Sequence, residues 1–371
     1  DDNVEKIKLF SAIGALSEVF VSTGDSNKLI QFMNENERLL REVYDAEPEN
    51  LEQLHRLAQF LGGMAENYKA LEYNAEYRKY LQESAALTEE EIRRYESTEL
   101  TATQMQDYAY SASSKAQNLN ELGQIDEALA LHERSAEIAK RAFEMAPSLE
   151  LAFNLTVRAR RYQADIYRQR NEFAKALEMY RISLDRIESE IENAHFETQK
   201  LKQAKDIYRI RISLMLEKTG DRKQAAELMK RAYSDYLNRV VAEKDDSTKV
   251  LFFFEALPDV AQYYLISNQI EKAVEVWEDH ISRLKYFLDK NPDDLAYVIY
   301  SAEAQKRIGD IYCGYNQETK TFGLADKARI TKGKNAYAKG IAGYEKAQEL
   351  RAPTQAEKNV LTEIRERLRS L

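Results

Sequence analysis

Five arginines crowd one short stretch of the sequence: Arg158, Arg160, Arg161, Arg168 and Arg170, around a single acid, Asp165. Residues 158, 161, 165 and 168 are spaced 3, 4 and 3 apart, so on a helix they share one face. Val157, Ala164 and Tyr167 supply the opposite, core-facing side. A guanidinium pairs bidentately with a carboxylate. An open face of this kind therefore suits an acidic segment or a C-terminal carboxylate of a partner, with affinity that falls as salt rises. The competing reading is that these arginines pair with Glu and Asp of neighbouring helices. Both stay open on sequence alone.

Little else has the residue types of a reaction centre. His55, His132, His195 and His280 lie far apart in the sequence and read as packing or surface residues. No CxxC, HExxH or HxxxH spacing occurs, so no metal site is expected. Gly333-Lys334 lacks the upstream glycine and the following Ser or Thr of a phosphate-binding loop. Cys313, beside Tyr312, reads as a small apolar filler rather than a nucleophile. No cofactor is expected, and the chain reads as a binding protein, not an enzyme. Most of the 23 tyrosines sit at helical spacing, as do Tyr73, Tyr77 and Tyr80, which suits packing between helices with the hydroxyl at the rim. The rest are candidates for anchoring a partner.

Composition says what kind of scaffold must carry these residues. Of 371 residues 44% are hydrophobic and 32% charged, enough for a continuous core under long amphipathic helices. Only 12 Gly and 5 Pro are present, too few turns for sandwiches, barrels or Rossmann-like folds. The net charge of −9 disfavours nucleic acid as a partner, because a phosphate-binding surface needs excess Lys and Arg. No apolar run approaches the roughly 18 residues of a membrane span. A single cysteine allows no internal disulfide, so a cytoplasmic setting is expected. The first residues, Asp1-Asp2-Asn3, are acidic and do not begin with Met, so the chain is expected to be an excised domain or a processed product. Oligomeric state is not fixed by any of these features.

A repeat organises the chain. Leu122-Gly123-Gln124, Arg170-Asn171-Glu172, Thr219-Gly220-Asp221 and Ser267-Asn268-Gln269 each precede an Ala-rich helical stretch. The turn residues Gly123, Asn171, Gly220 and Asn268 are spaced 48, 49 and 48 apart, and Gly and Asn are the types that tolerate a left-handed helix end. Thr23-Gly24-Asp25 fits the same phase. A second marker agrees: Gly24 to Pro48, Gly123 to Pro147 and Asn268 to Pro292 are each 24 residues. Small residues recur where first helices must cross, at Ala116, Ala164, Ser213, Ala261 and Gly309, and in the second helices at Ala128, Ala176, Ala225 and Ala273. Four residues further on stand His132, Tyr180, Met229 and Trp277.

These positions resemble the tetratricopeptide repeat (TPR) family, in a long-helix variant similar to TPR domains of bacterial signalling proteins. The common unit is about 34 residues; here it is near 48, which lengthens both helices. The resemblance implies an all-α solenoid of about 14–16 antiparallel helices in a right-handed superhelix, with no sheet. It spans 1–371 as one array: degenerate repeats over 1–108, regular repeats over 109–318, and an insertion, last helix pair and C-terminal cap over 319–371. Helices are expected near 3–22 and 26–45, and the pairs at 101–145, 148–193, 195–243 and 247–290. Gly62-Gly63 should loosen a helix, Thr88-Glu89-Glu90-Glu91 should start a short one as a capping box, and Pro258 should kink or delay another. The insertion is placed at 315–333, with Thr319, Thr321, Gly323 and Gly333. A closing helix near 354–370 shows a charged face of Glu357, Arg365, Arg367 and Arg369.

In the TPR family the groove is lined by first-helix side chains at fixed positions of the motif. Carried onto this chain they are Arg158, Arg161, Asp165 and Arg168, preceded by Tyr110 and Gln117 and flanked by Tyr162; further along stand Arg211, Gln262 and Lys306. The Lys and two Asn of the chaperone-adaptor clamp are not matched. The resemblance implies a protein–protein interaction scaffold that holds a peptide or protein segment in its groove. The alternative is a regulatory or sensor domain of a larger bacterial signalling protein, such as a serine/threonine kinase.

Overall fold

The structure is a computed structural model that describes residues 26–97, 99–242, 247–316, 321–323, 325–351 and 353–371. The helix expected over 3–22, the Gly24 turn and Thr319 lie outside these residues. The chain divides into two compact units, Asp1–Thr198 and Gln199–Leu371.

The first unit holds α1 (Ser26–Ala46), α2 (Leu51–Ala70), α3 (Asn74–Glu96), α4 (Ala102–Glu121), α5 (Ile125–Met145), α6 (Glu150–Gln169) and α7 (Phe173–Asn193). Successive helices pack on one another, most extensively in the hairpins α4/α5 and α2/α3. Each hairpin turns on one residue in the left-handed region: Glu72 (φ 63°), Gly123 (φ 80°) and Asn171 (φ 60°). The amide after each turn residue donates to a carbonyl five residues back, Tyr73 to Tyr68 at 2.9 Å, Gln124 to Leu119 at 2.8 Å and Glu172 to Tyr167 at 2.8 Å. That is the Schellman closure, which satisfies carbonyls a helix end would leave orphaned. A second device recurs. Ser84, Ser135 and Ser183 each donate across the hairpin to a first-helix carbonyl, of Ala58 (2.8 Å), Ala109 (2.7 Å) and Val157 (3.3 Å). Buried hydroxyls thus lock all three hairpins in one register.

The second unit repeats the plan with α8 (Gln199–Thr219), α9 (Arg222–Ala242), α10 (Ser247–Ile266), α11 (Ile270–Lys290), α12 (Leu295–Cys313), α13 (Lys327–Leu350) and α14 (Gln355–Ser370). The turns at Gly220 (φ 96°) and Asn268 (φ 56°) close as in the first unit, Asp221 to Leu216 at 2.9 Å and Gln269 to Tyr264 at 2.8 Å. Two two-residue strands, β1 (Tyr315–Asn316) and β2 (Thr321–Phe322), form an antiparallel hairpin between α12 and α13. The fold is all-α and TPR-like, built of antiparallel helix pairs, with this hairpin as its one described departure.

Several expectations need correction. Thr88 does not start a helix: it lies inside α3, its hydroxyl bonded back to the Ser84 carbonyl at 2.8 Å. Gly62-Gly63 sits within an unbroken α2, and α10 runs through Pro258 without a late start. The insertion is shorter than 315–333, because Asp326 caps α13 by accepting from the Arg329 amide at 2.8 Å. Gly333 is a helix-crossing residue: a Cβ there would stand 2.2 Å from Cys313 Sγ. Arg367 is not on a solvated face but 5% exposed.

Ala176 and Ala225 are both 0% exposed at their crossings. Ala176→Leu or Ala225→Leu is expected to lower stability by about 1–3 kcal/mol through overpacking. Denaturant midpoints check this, and an unchanged midpoint contradicts the register.

Candidate functional site: a groove on the first helices of one unit

Helices α2, α4 and α6 are the first members of their hairpins, and their inner faces line one groove of about 550 Å³ in the first unit. The hairpin register aims equivalent positions at it. Gln59 and Glu66 on α2, Tyr110 and Gln117 on α4, and Arg158 and Asp165 on α6 all line it, each pair seven residues apart. Tyr162 joins them, and His132 of α5 and Glu91 of α3 reach it from the second helices.

At the α6 end the Arg158 guanidinium lies over the Tyr110 ring at 5.4 Å. No carboxylate pairs with it among the described residues, and its Nε is buried without a hydrogen-bond partner. His132 below is 1% exposed and stacks on Tyr162 at 5.2 Å, with Nδ1 unpartnered. Burial, then the nearby charge of Arg158, push its imidazole down to about 4, so it stands neutral at pH 7. Asp165 is engaged as acceptor of the Tyr180 hydroxyl.

At the α2 end His55 Nδ1 sits 2.8 Å from Glu91 Oε1. Burial alone would lower the imidazole's pKa, but the hydrogen bond and charge of Glu91 outweigh it and the net shift is upward. Ser111 Oγ approaches the same Nδ1 at 3.3 Å and donates to the Asp107 carbonyl at 3.1 Å. Ser, His and an acid thus meet, but serine and carboxylate share one ring nitrogen. A nucleophilic relay needs them on opposite nitrogens. Lys69 and the Tyr77 hydroxyl hold Glu121, at 2.8 and 2.9 Å.

Of the residues expected at the site, Tyr110, Gln117, Arg158, Tyr162 and Asp165 fall together in this groove. Arg161 and Arg168 do not line it; Arg161 lies over the Tyr162 ring at 5.0 Å. Arg160 and Arg170 follow the pairing alternative, Arg160 on Glu133 at 2.6 Å and Arg170 on Asp126 at 3.3 Å and Glu172 at 2.8 Å. Arg211, Gln262 and Lys306 belong to the second unit. Arg211 is buried on Asp259 and Glu255 at 3.3 and 3.1 Å, Lys306 is 5% exposed beside Glu303 and Asp310, and Gln262 is exposed on α10. Arg211 and Lys306 are therefore not open groove residues: nearby carboxylates draw both cations into the packing.

Cys313 is 1% exposed with its thiol pushed up to about 11 by burial, the condition of a packing residue. Among the described residues no group of three or more His, Cys, Asp or Glu is arranged to hold a metal ion, and no helix is long and apolar enough to cross a membrane.

No protein-family model matches the chain, and no curated protein matches it. Solved structures similar to it are repeat proteins. The apo form of RapI is 12% identical with a TM-score of 0.48, over 92% of this chain and 99% of that one. A tetratricopeptide repeat protein from Parabacteroides merdae is 13% identical with a TM-score of 0.43, over 96% and 98%. BtubC (BKLC) from P. vanneervenii is 12% identical with a TM-score of 0.46, over 71% and 92%.

Proposed function

We propose that the chain is an interaction scaffold that holds an extended segment of a protein partner in the groove of α2, α4 and α6, with Arg158 as the anchor for a carboxylate of that segment. The observation that carries this reading is Arg158 itself. It lines the groove, half-buried, its plane over Tyr110, while its neighbours Arg160 and Arg170 are spent on ion pairs. A guanidinium held this way on a concave wall is pre-organised to fork onto a carboxylate. Binding without chemistry fits the two groups best placed to react: His55 has no relay geometry and the Cys313 thiol is buried.

The test is fluorescence anisotropy with labelled acidic hexapeptides on the full chain. Arg158→Ala is expected to weaken binding about tenfold or more, about 1.4 kcal/mol, with the circular dichroism spectrum unchanged. Affinity should also fall as ionic strength approaches about 0.1 M, where the Debye length is about 10 Å. Arg170→Ala, on the exposed end of α6, should bind as the parent does. Equal binding by the Arg158→Ala and parent chains contradicts the assignment.

A further inference from the structure

The groove is electrically two-ended. Glu66, Glu91 and Glu121 line its α2 end, whereas Arg158, the neutral His132 and Asp165, the last already engaged by the Tyr180 hydroxyl, line its α6 end. Lys69, held on Glu121 at 2.8 Å, offsets part of the acidic end, and His55 Nδ1 sits 2.8 Å from Glu91. Glu91 is the unusual member. Its side chain is 1% exposed, and Oε2 is buried with no hydrogen-bond partner. A buried carboxylate oxygen facing no donor is an unmet demand for an N–H or ammonium group, because the charged acceptor has lost its water without a replacement. At the other end the unpartnered Nδ1 of His132 and Nε of Arg158 are the counterpart.

We infer that the α2 end, built on Glu91 with Glu66, is a second subsite that takes the cationic side chain of the same segment. The partner sequence then carries a Lys or Arg and an acidic residue a fixed distance apart. This rests on the reading of Arg158 as the carboxylate anchor. The spacing follows from the scaffold. First helices packed side by side lie about 8–10 Å apart, so α2 to α6 spans about 16–20 Å. An extended chain rises about 3.3–3.6 Å per residue, which places the two charges about five residues apart.

Titration calorimetry on the full chain tests this with three end-capped hexapeptides: Lys-Gly-Ser-Ser-Gly-Glu and the two relatives in which Lys or Glu is replaced by Gly. At about 50 mM salt, where screening is modest, the doubly charged peptide should bind about tenfold tighter than the one with Glu alone. Glu91→Gln should erase that advantage and leave the Glu-only peptide unaffected. Glu66→Gln, at an exposed position whose change does not threaten folding, should reduce it. Equal affinity for the Lys–Glu and Gly–Glu peptides overturns the inference, as does an advantage that survives both substitutions. Glu-bearing peptides that bind independently of Arg158 overturn the carboxylate anchor instead. Failure of all three peptides to bind removes both.

Discussion

Arg367→Ala is expected to cost the second unit about 3–5 kcal/mol, the penalty for stranding one partner of a buried ion pair. Arg367 on α14 donates from Nη1 to Asp310 Oδ1 on α12 at 2.5 Å, pairs with Glu363 through Nη2, and lies 3.7 Å over the Tyr315 ring. Tyr337 of α13 donates to the same Asp310 oxygen at 2.7 Å. The Arg367–Asp310 pair thus joins three helices and the β-hairpin, with the two charged side chains 5% and 7% exposed. Removing Arg367 leaves the 7%-exposed Asp310 carboxylate with the Tyr337 phenol at 2.7 Å and Lys306 at 3.9 Å, without the charged donor that offsets its burial. Arg367→Lys keeps the charge but loses the planar group that reaches Asp310 and Glu363 at once, and should fall between. Trp277, the single tryptophan, is 2% exposed in α11 of this unit, so its fluorescence during urea unfolding reads the effect. A loss under about 1 kcal/mol contradicts a structural role for the pair.

Acidification supplies the second large effect. His132 and His280 are 1% and 0% exposed, and each is pushed down to about 4, by burial first and then by Arg158 and Arg283 respectively. The unfolded chain takes up each proton near pH 6.5, while the folded chain resists until about pH 4. In that window the unfolded state binds more protons, so stability rises with pH. The contribution is complete above about pH 6.5, falls away on acidification, and is lost below pH 4. It amounts to on the order of 3 kcal/mol per histidine. The urea midpoint should therefore drop between pH 7 and pH 4.5, and His280→Gln should flatten the drop seen by Trp277. An equal drop in parent and variant assigns the acid lability to other groups.

Helix pairing was legible because the turns use residues that advertise themselves. Gly123, Asn171, Gly220 and Asn268 all adopt positive φ, as their types and spacing required. The α2/α3 hairpin closes the same way on Glu72, a residue type that rarely enters the left-handed region, so its register was hidden. Glu72 precedes Gly123 by 51 residues, and the same offset carries Tyr110 and Gln117 onto Gln59 and Glu66. The α2 wall of the groove was thus concealed by one atypical turn residue. Other misreadings share a cause: local patterns decided by distant neighbours. Gly333 reads as loop until Cys313 is seen against it, and the burial of Arg367 depends on Asp310, 57 residues away. Of the arginine face only Arg158 reaches the groove, while Arg161 turns onto the Tyr162 ring and the off-face Arg160 and Arg170 pair with Glu133 and Asp126 of the preceding helix.

If the groove of α2, α4 and α6 holds the partner, selection from a random peptide-display library should recover ligands that depend on it. The full chain is panned at low salt, and the enriched peptides are then assayed against Arg158→Ala. Enriched sequences that share an acidic residue and lose their binding to the Arg158→Ala chain are the predicted result. Enriched peptides that bind both chains equally would place the interaction elsewhere on the molecule and rule out the groove as the site.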